Sequence, residues 1–234
     1  MSGKRCWMCP SDRANAWWLF RGACCWPPQG ICLMLDRIHE IPGVVLSADG
    51  YLDDFWPNFR NIDDVFWKLE RIQSFRQAGE PSWAAMMEGD WHRSLKLVDA
   101  RPVPGGKPGR RAESVVRRRI RVVEQPVTPY LQWEMHLLAP RVAAAEKVRV
   151  LDSAEVADLE IDRPLPELVV LGSLVMYEVT YDSAGAHSGA RRIDDREVIA
   201  ACRGELDKLY AVGEDFRTYY EREIVPLPAP RVTV

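Results

Sequence analysis

The segment between residues 115 and 151 constrains the fold most, because it predicts a strand, a helix and a second strand in close succession. Residues 115–123 are a run rich in β-branched residues, which is typical of a strand. Thr128 and Pro129 predict a helix start, since threonine is a good N-cap and proline suits the first helical position. Residues 147–151 predict a second strand. This order is typical of a sheet with helices packed on it.

The sequence before this segment predicts helices. Asn61 is expected to cap a helix that begins at Ile62, and another helix is expected to begin near Pro81. The proline- and glycine-rich stretch at residues 101–112 predicts a loop, since neither residue continues a regular element.

The sequence after this segment predicts a hairpin and a long helix. Two apolar runs within residues 168–181 flank Gly172, as in a hairpin with a two-residue turn. Asp194 followed by Glu197 resembles a capping box, and Gly213 is a typical C-terminal stop.

We therefore predict an α/β protein with a mixed β-sheet and packed helices, with an α+β arrangement as the alternative. The predicted organisation has three parts: an irregular lead at residues 1–50, a helical segment at 51–100 that packs on the main domain, and the α/β domain at 101–234.

The charge balance restricts the partners. The formal net charge is −3, so the chain as a whole is not drawn to nucleic acid or anionic membranes. We therefore do not expect direct nucleic-acid binding. No stretch is apolar for long enough to cross a bilayer or to act as a signal peptide, so we expect a cytoplasmic protein without a membrane partner.

The cysteines are concentrated at the beginning of the chain. The candidate metal ligands are Cys6, Cys9, Cys24 and Cys25, of which the first two form a C-x2-C pair. A structural zinc site needs a second pair at suitable spacing, and adjacent cysteines do not provide it. We therefore predict no metal and interpret residues 1–50 as a disordered lead or the product of a mis-assigned start.

An arginine-rich strand and the following helix provide the candidate binding residues. Arg117, Arg119 and Arg121 alternate along the predicted strand and therefore share one face, where guanidinium groups could hold phosphate or carboxylate. A polar set begins the following helix, at the edge where ligand sites of α/β folds tend to lie: Tyr130, Trp133, Glu134 and His136.

A structural interpretation competes with this one. The arginines could line a solvated strand face, with Trp133 in the core and Glu134 paired to an arginine. The common catalytic signatures, including G-x-S-x-G, the P-loop and H-E-x-x-H, do not occur in the sequence. We predict no catalytic residue and no cofactor.

The stretch from Arg117 to Asp152 resembles an actinobacterial family known as domain of unknown function 6879. The resemblance rests on the arginine-rich strand, on the second strand, and on a motif formed by Glu124, Pro126, Tyr130, Trp133 and Glu134. It extends over residues 55–230 and excludes the lead. One departure is Ala145, where we expect glycine.

The resemblance implies no assigned reaction, but it implies a genetic setting beside small helix-turn-helix regulators, which we expect as partners. The C-terminal half is similar in element order to half of a phospholipase D fold. That chemistry requires a His-x-Lys pair, and none of the four histidines has lysine two residues later. We therefore expect a non-enzymatic regulatory or adaptor protein that binds a partner protein or a small anionic ligand. The alternative is an enzyme with an unrecognised site near the arginine-rich strand.

Overall fold

The computed structural model describes residues 34–62, 64–102 and 115–232, and within them the chain forms one mixed α/β unit. Eight strands form a single sheet in the order β1-β7-β6-β5-β2-β3-β4-β8. The strands are β1 (Val44–Ser47), β2 (Phe66–Glu70), β3 (Arg117–Val123), β4 (Lys147–Asp152), β5 (Leu168–Leu171), β6 (Val175–Tyr181), β7 (His187–Ile193) and β8 (Glu214–Asp215).

Seven α-helices accompany these strands in the described part of the chain. They are α1 (Ala48–Arg60), α2 (Pro81–Met87), α3 (Trp91–Asp99), α4 (Pro129–Ala143), α5 (Ser153–Val156), α6 (Arg196–Val212) and α7 (Phe216–Tyr219), and a π-helical turn, Tyr220–Ile224, follows the last of them. Among the described residues, no helix is long and apolar enough to cross a membrane.

The three neighbouring strands β2, β3 and β4 run parallel. Helix α4 connects β3 to β4, and α2 and α3 lie in the connection from β2 to β3. The remaining strand pairs of the sheet are antiparallel. Two parallel crossovers therefore cover this part of the sheet with helices.

Alternation along the strands separates two packed faces. The face that carries Val148 and Val150 packs against Leu131 and Met135 of α4. On the opposite face, the ring of Trp67 in β2 lies edge-on to Tyr210 of α6, with centroids 5.4 Å apart. The parallel part of the sheet thus has helices on both faces, as is usual for parallel strands.

The edge strand β1 approaches β7 closely because of one glycine. Gly189 has a φ of 144°, and a Cβ at this position would overlap the carbonyl oxygen of Leu46 in β1. Leu46 and Ser47 pair with Ala190 and Gly189. The glycine therefore permits the contact that joins β1 to the sheet.

The predicted helix from Ile62 is wrong, because Phe66–Glu70 forms a strand and Asn61 caps the C-terminus of α1. This strand is central, and Trp67, Leu69 and Glu70 are buried although they alternate between faces. A strand buried on both sides has no clear two-residue alternation, so a short apolar run at helical spacing misled the prediction.

Other boundaries moved less. Helix α6 is capped by Asp195, whose side chain accepts hydrogen bonds from two backbone N–H groups, and not by Asp194. Helix α4 continues through Pro140 to Ala143. Strand β1 lies inside the predicted irregular lead, but residues 1–33, with the four candidate zinc-binding cysteines, lie outside the described residues.

Candidate functional site

A small polar cavity of about 150 Å³ lies on the α4 face of the sheet. Strands β2 and β3 contribute its floor, and α4 contributes one wall. Most of its surface is polar and ionic, which is unusual for a space beside a protein core. Its charged lining residues are Lys68, Glu70, Glu80, Arg101, Arg119, Glu134 and Arg141.

Helix α4 is fixed by two polar contacts near its start. The Thr128 hydroxyl accepts a hydrogen bond from the Leu131 N–H at 3.1 Å and donates one to the Gln73 carbonyl at 2.7 Å. One turn later, the indole N–H of Trp133 donates to the Ser82 hydroxyl at 3.2 Å. These contacts connect α4 to the β2–β3 crossover and hold the cavity wall in place.

Arg121 lies behind the cavity, and its guanidinium binds a carboxylate and backbone carbonyls of the surrounding elements. Its side chain is fully buried, and its Nε donates to Glu134 Oε2 at 2.8 Å. Its Nη atoms donate to the backbone carbonyls of Glu70 and Ile72, at 3.1 and 2.6 Å. Burial alone lowers the pKa of Arg121, but the charges of Glu134 and Glu70 outweigh it and raise the pKa.

Arg119 lies in the floor of the cavity and binds two carboxylates. Its Nη1 donates to Glu70 at 2.5 Å and its Nε donates to Glu146 at 2.7 Å. Lys68 forms a second ion pair with Glu70. Burial opposes ionisation of Glu70, but the charges of Arg119 and Lys68 outweigh it and hold its pKa well below the ordinary range.

The positive charge of Arg141 has a more distant carboxylate partner than the charges of the other cations that line the cavity. Its Nη1 lies 4.0 Å from Glu146 Oε2, and a quarter of its side chain is exposed. Burial lowers the pKa of Arg141, and the charge of Arg119 acts in the same direction. The guanidinium therefore lies in a position where its positive charge is disfavoured.

A charge count shows the consequence. Arg121 pairs with Glu134, and Arg101 pairs with Glu80 at 2.6 Å. The remaining cations, Lys68, Arg119 and Arg141, share the two carboxylates of Glu70 and Glu146, as described above. This group therefore has one positive charge in excess, and Arg141 has the longest contact in it.

Another buried carboxylate, that of Glu167, directly precedes β5 and lies near the end of β2. One oxygen of Glu167 accepts hydrogen bonds from the backbone N–H groups of Arg71 at 2.5 Å and Ile72 at 2.6 Å. Burial, and then the charge of Glu70, raises the pKa of Glu167 to about 7. Glu167 thus changes charge near neutral pH, unlike Glu70.

The structure brings together four of the seven predicted binding residues. Arg119, Tyr130, Trp133 and Glu134 line the cavity, and Arg121 lies behind them. Arg119 and Arg121 are buried, so these two arginines do not lie on a solvated strand face. Burial, followed by the charge of Glu134, raises the pKa of the Tyr130 phenol, which accepts a hydrogen bond from Gln77.

The other two predicted residues lie elsewhere. Arg117 begins β3 opposite Phe66, two positions before Arg119, and it does not line the cavity. His136 is on another side of α4, where its Nδ1 lies 2.7 Å from the Tyr220 hydroxyl and its ring is edge-on to Trp91. Burial lowers the pKa of His136.

Sequence reasoning missed Lys68, Glu70, Arg141 and Glu146. The first two alternate with buried residues in β2, which had been assigned to a helix. Arg141 lies eleven residues after Tyr130 and seven after Glu134, so it shares their helix face. Ending the helix at Pro140 concealed this spacing. In the described part of the chain, no cluster of side chains suits a metal ion.

The family model described as "Domain of unknown function (DUF6879)" matches residues 53–221, and the chain belongs to this family. No curated protein matches the chain. The resemblance seen in the sequence is confirmed at the level of the family.

Several solved structures are similar to the chain, two of them over about three quarters of its length. One is TrmBL2, described as an archaeal chromatin protein with a novel mode of DNA binding, at 11% identity and a TM-score of 0.36. The match covers 75% of this chain and 55% of the TrmBL2 chain, so this chain spans little more than half of that protein's length. The other is NucT from Helicobacter pylori, at 8% identity and a TM-score of 0.43, with 74% of this chain and 98% of that chain covered.

The expectation that the chain does not bind nucleic acid directly is corrected. Net charge is an average over the chain and does not report local surfaces, so a value of −3 does not exclude such binding. The description as a DNA-binding chromatin protein applies to TrmBL2 itself. The expected helix-turn-helix partner is withdrawn together with that expectation.

Proposed function

We propose that the chain is a non-enzymatic regulatory or adaptor protein whose cavity binds a small anionic ligand. The observation that carries this proposal is the excess positive charge beside Arg141, where three cations share two carboxylates. A bound anion would complete the neutralisation that Glu146 provides only at 4.0 Å.

The size of the cavity limits the ligand. A cavity of about 150 Å³ accommodates a molecule of roughly benzene size. Phosphate, sulfate and small dicarboxylates fit this limit. A guanidinium binds such planar or tetrahedral anions through paired N–H groups, which lysine cannot do.

The arrangement of charges supports binding more than chemistry. Arg119 and Glu70 are held by short ion pairs, and the Tyr130 phenol has a raised pKa that keeps it protonated. The alternative of an enzyme at the same polar site stays a prediction. The cytoplasmic location, the actinobacterial origin and the phospholipase-D-like order of elements also stay predictions.

Thermal unfolding in the presence of phosphate, sulfate or malonate tests the proposal, with chloride used to hold the ionic strength constant. A ligand at one hundred times its Kd stabilises the folded state by about 2.7 kcal/mol. For a domain of this size, this corresponds to a rise in melting temperature of roughly 5–10 °C. At least one of the three anions is expected to produce such a rise.

Two arginine variants identify the site. Arg141→Gln is expected to remove the anion-dependent rise, whereas Arg217→Gln, which changes an exposed arginine on α7, should keep it. Equal responses in these two variants, or no response of the unmodified chain to any of the anions, would contradict the proposal.

A further inference from the structure

Helix α1 has one face that the described part of the chain leaves uncovered. The opposite face carries Tyr51, Phe55 and Phe59, which are partly buried against the apolar cluster around Tyr177. The exposed residues recur at the spacing of a single helix face, and together we call them the α1 stripe: Asp49, Leu52, Asp53, Trp56, Pro57 and Arg60.

The centre of the α1 stripe is apolar. Leu52 is 45% exposed and Trp56 is 51% exposed, and they lie one helical turn apart. The Trp56 ring is held in place, because it lies edge-on to Phe55 and Phe59 with centroids 5.1 and 6.0 Å apart. A fixed, half-exposed tryptophan beside a leucine is typical of the centre of a protein interface.

The two ends of the α1 stripe carry opposite charges. Asp49 and Asp53 lie towards its start, and Arg60 lies at its end, all three exposed. By contrast, Asp54 on the covered face accepts a hydrogen bond from the Tyr177 hydroxyl at 2.6 Å. The helix dipole favours this order of charges, but it does not account for the apolar residues between them.

A second copy of α1 matches both properties when it lies antiparallel to the first. Let the two helices cross between Leu52 and Trp56. Asp49 and Arg60 then lie about 8 Å to either side of the crossing, because each residue rises about 1.5 Å. Asp49 of each copy faces Arg60 of the other, and a two-fold axis makes this contact twice. A parallel arrangement would instead bring like charges together.

We propose that the α1 stripe is the interface of a homodimer, in which α1 packs antiparallel against α1 of a second copy about a two-fold axis. A helix of 13 residues is about 20 Å long, so this contact alone is smaller than a standard stable interface. The dimer is therefore reversible and depends on protein concentration. The α1 stripe shares no residue with the lining of the anion cavity, and this inference does not depend on the proposed function.

Analytical ultracentrifugation of the full-length chain between about 1 and 500 μM tests the proposal. The unmodified chain is expected to dimerise within this range. Trp56→Ala should weaken the dimer at least about tenfold, because it removes the aromatic side chain at the centre of the interface. Ile161→Ala changes an isoleucine that is 83% exposed outside α1 and serves as the matched control, with an unchanged dimer.

Charge exchange tests the antiparallel arrangement. One variant carries Asp49→Arg with Asp53→Arg, and a second variant carries Arg60→Glu. Each alone should stay monomeric, because like charges then face each other, whereas an equimolar mixture should dimerise, because the exchanged charges are complementary. Circular dichroism confirms that each variant is folded. A monomeric unmodified chain over the whole range, an unchanged dimer in Trp56→Ala, or no association in the mixture would overturn the proposal.

Discussion

Arg121 and Glu134 form an ion pair of 2.8 Å in which the arginine side chain is completely buried and the glutamate side chain is 6% exposed. The pair joins the central strand β3 to helix α4, and the arginine also donates to backbone carbonyls at the end of β2. A single guanidinium thus connects three elements around the cavity.

We predict that Glu134→Gln lowers the free energy of unfolding by about 3–5 kcal/mol, because it leaves a buried guanidinium without its charged partner. Urea unfolding followed by circular dichroism measures this. Asp207→Asn is the matched control, since its pair with Arg118 is exposed to solvent and should contribute less than about 1 kcal/mol. Similar losses in the two variants would show that burial does not control the strength of the Arg121 pair.

Substitutions of Arg119 and Arg141 should change the free energy of unfolding by different amounts, although both residues line the cavity. Arg119→Gln leaves the buried Glu146 without its nearest cation and leaves Glu70 with Lys68 alone, so it should cost about 3–5 kcal/mol. Arg141→Gln removes a charge that its surroundings disfavour, so we expect a change below about 1 kcal/mol. A large loss in Arg141→Gln would contradict the charge count.

The raised pKa of Glu167 predicts that the free energy of unfolding depends on pH close to neutrality. Its folded-state pKa of about 7 lies above its ordinary value of 4.5, so the folded state binds the proton more tightly than the unfolded state. The contribution of this group to stability is therefore full below pH 4.5 and is lost as the pH rises through 7.

Glu167→Gln should remove this dependence, because glutamine keeps an oxygen for the Arg71 and Ile72 N–H groups and carries no charge. The variant and the unmodified chain should unfold with similar free energies at pH 5, and the variant should be more stable at pH 8. Chemical denaturation at both pH values tests this. A difference that does not grow between them would refute the prediction.

Gly189 predicts a large effect of a single methyl group. Gly189→Ala is expected to cost several kcal/mol, because the Cβ overlaps the Leu46 carbonyl and the backbone φ is unfavourable for alanine. Gly204→Ala in α6 meets no neighbouring atom and should stabilise the chain by about 0.5–1 kcal/mol. Thermal unfolding distinguishes the two, and a stable Gly189→Ala variant would disprove the close approach.

The sequence predicted the part of the fold that local signals determine. Thr128 and Pro129 defined the start of α4, because a cap depends on a few adjacent residues. Gly172 marked the position of the β5–β6 turn, but this turn has three residues, 172–174, and not the predicted two. Strand β2 was missed, since burial on both faces removes the two-residue alternation that identifies a strand.

The candidate site was predicted in part for a related reason. Alternation in β3 identified Arg119 and Arg121 as neighbours, and helical spacing identified Tyr130 and Glu134. Lys68 and Glu70 come from a different strand, and only the pairing of β2 with β3 brings them opposite Arg119 and Arg121. That pairing is a long-range property, which local sequence patterns do not contain.

The pairing of β1 with β7 also affects how the protein is made. Leu46 can pair with β7 only after Ala190 has been synthesised. At a synthesis rate of about 5–20 residues per second, this wait lasts roughly 7–30 s on the ribosome. During this interval the apolar residues Val44, Val45 and Leu46 have no strand partner from their own chain, so their backbone groups are open to pairing with another chain.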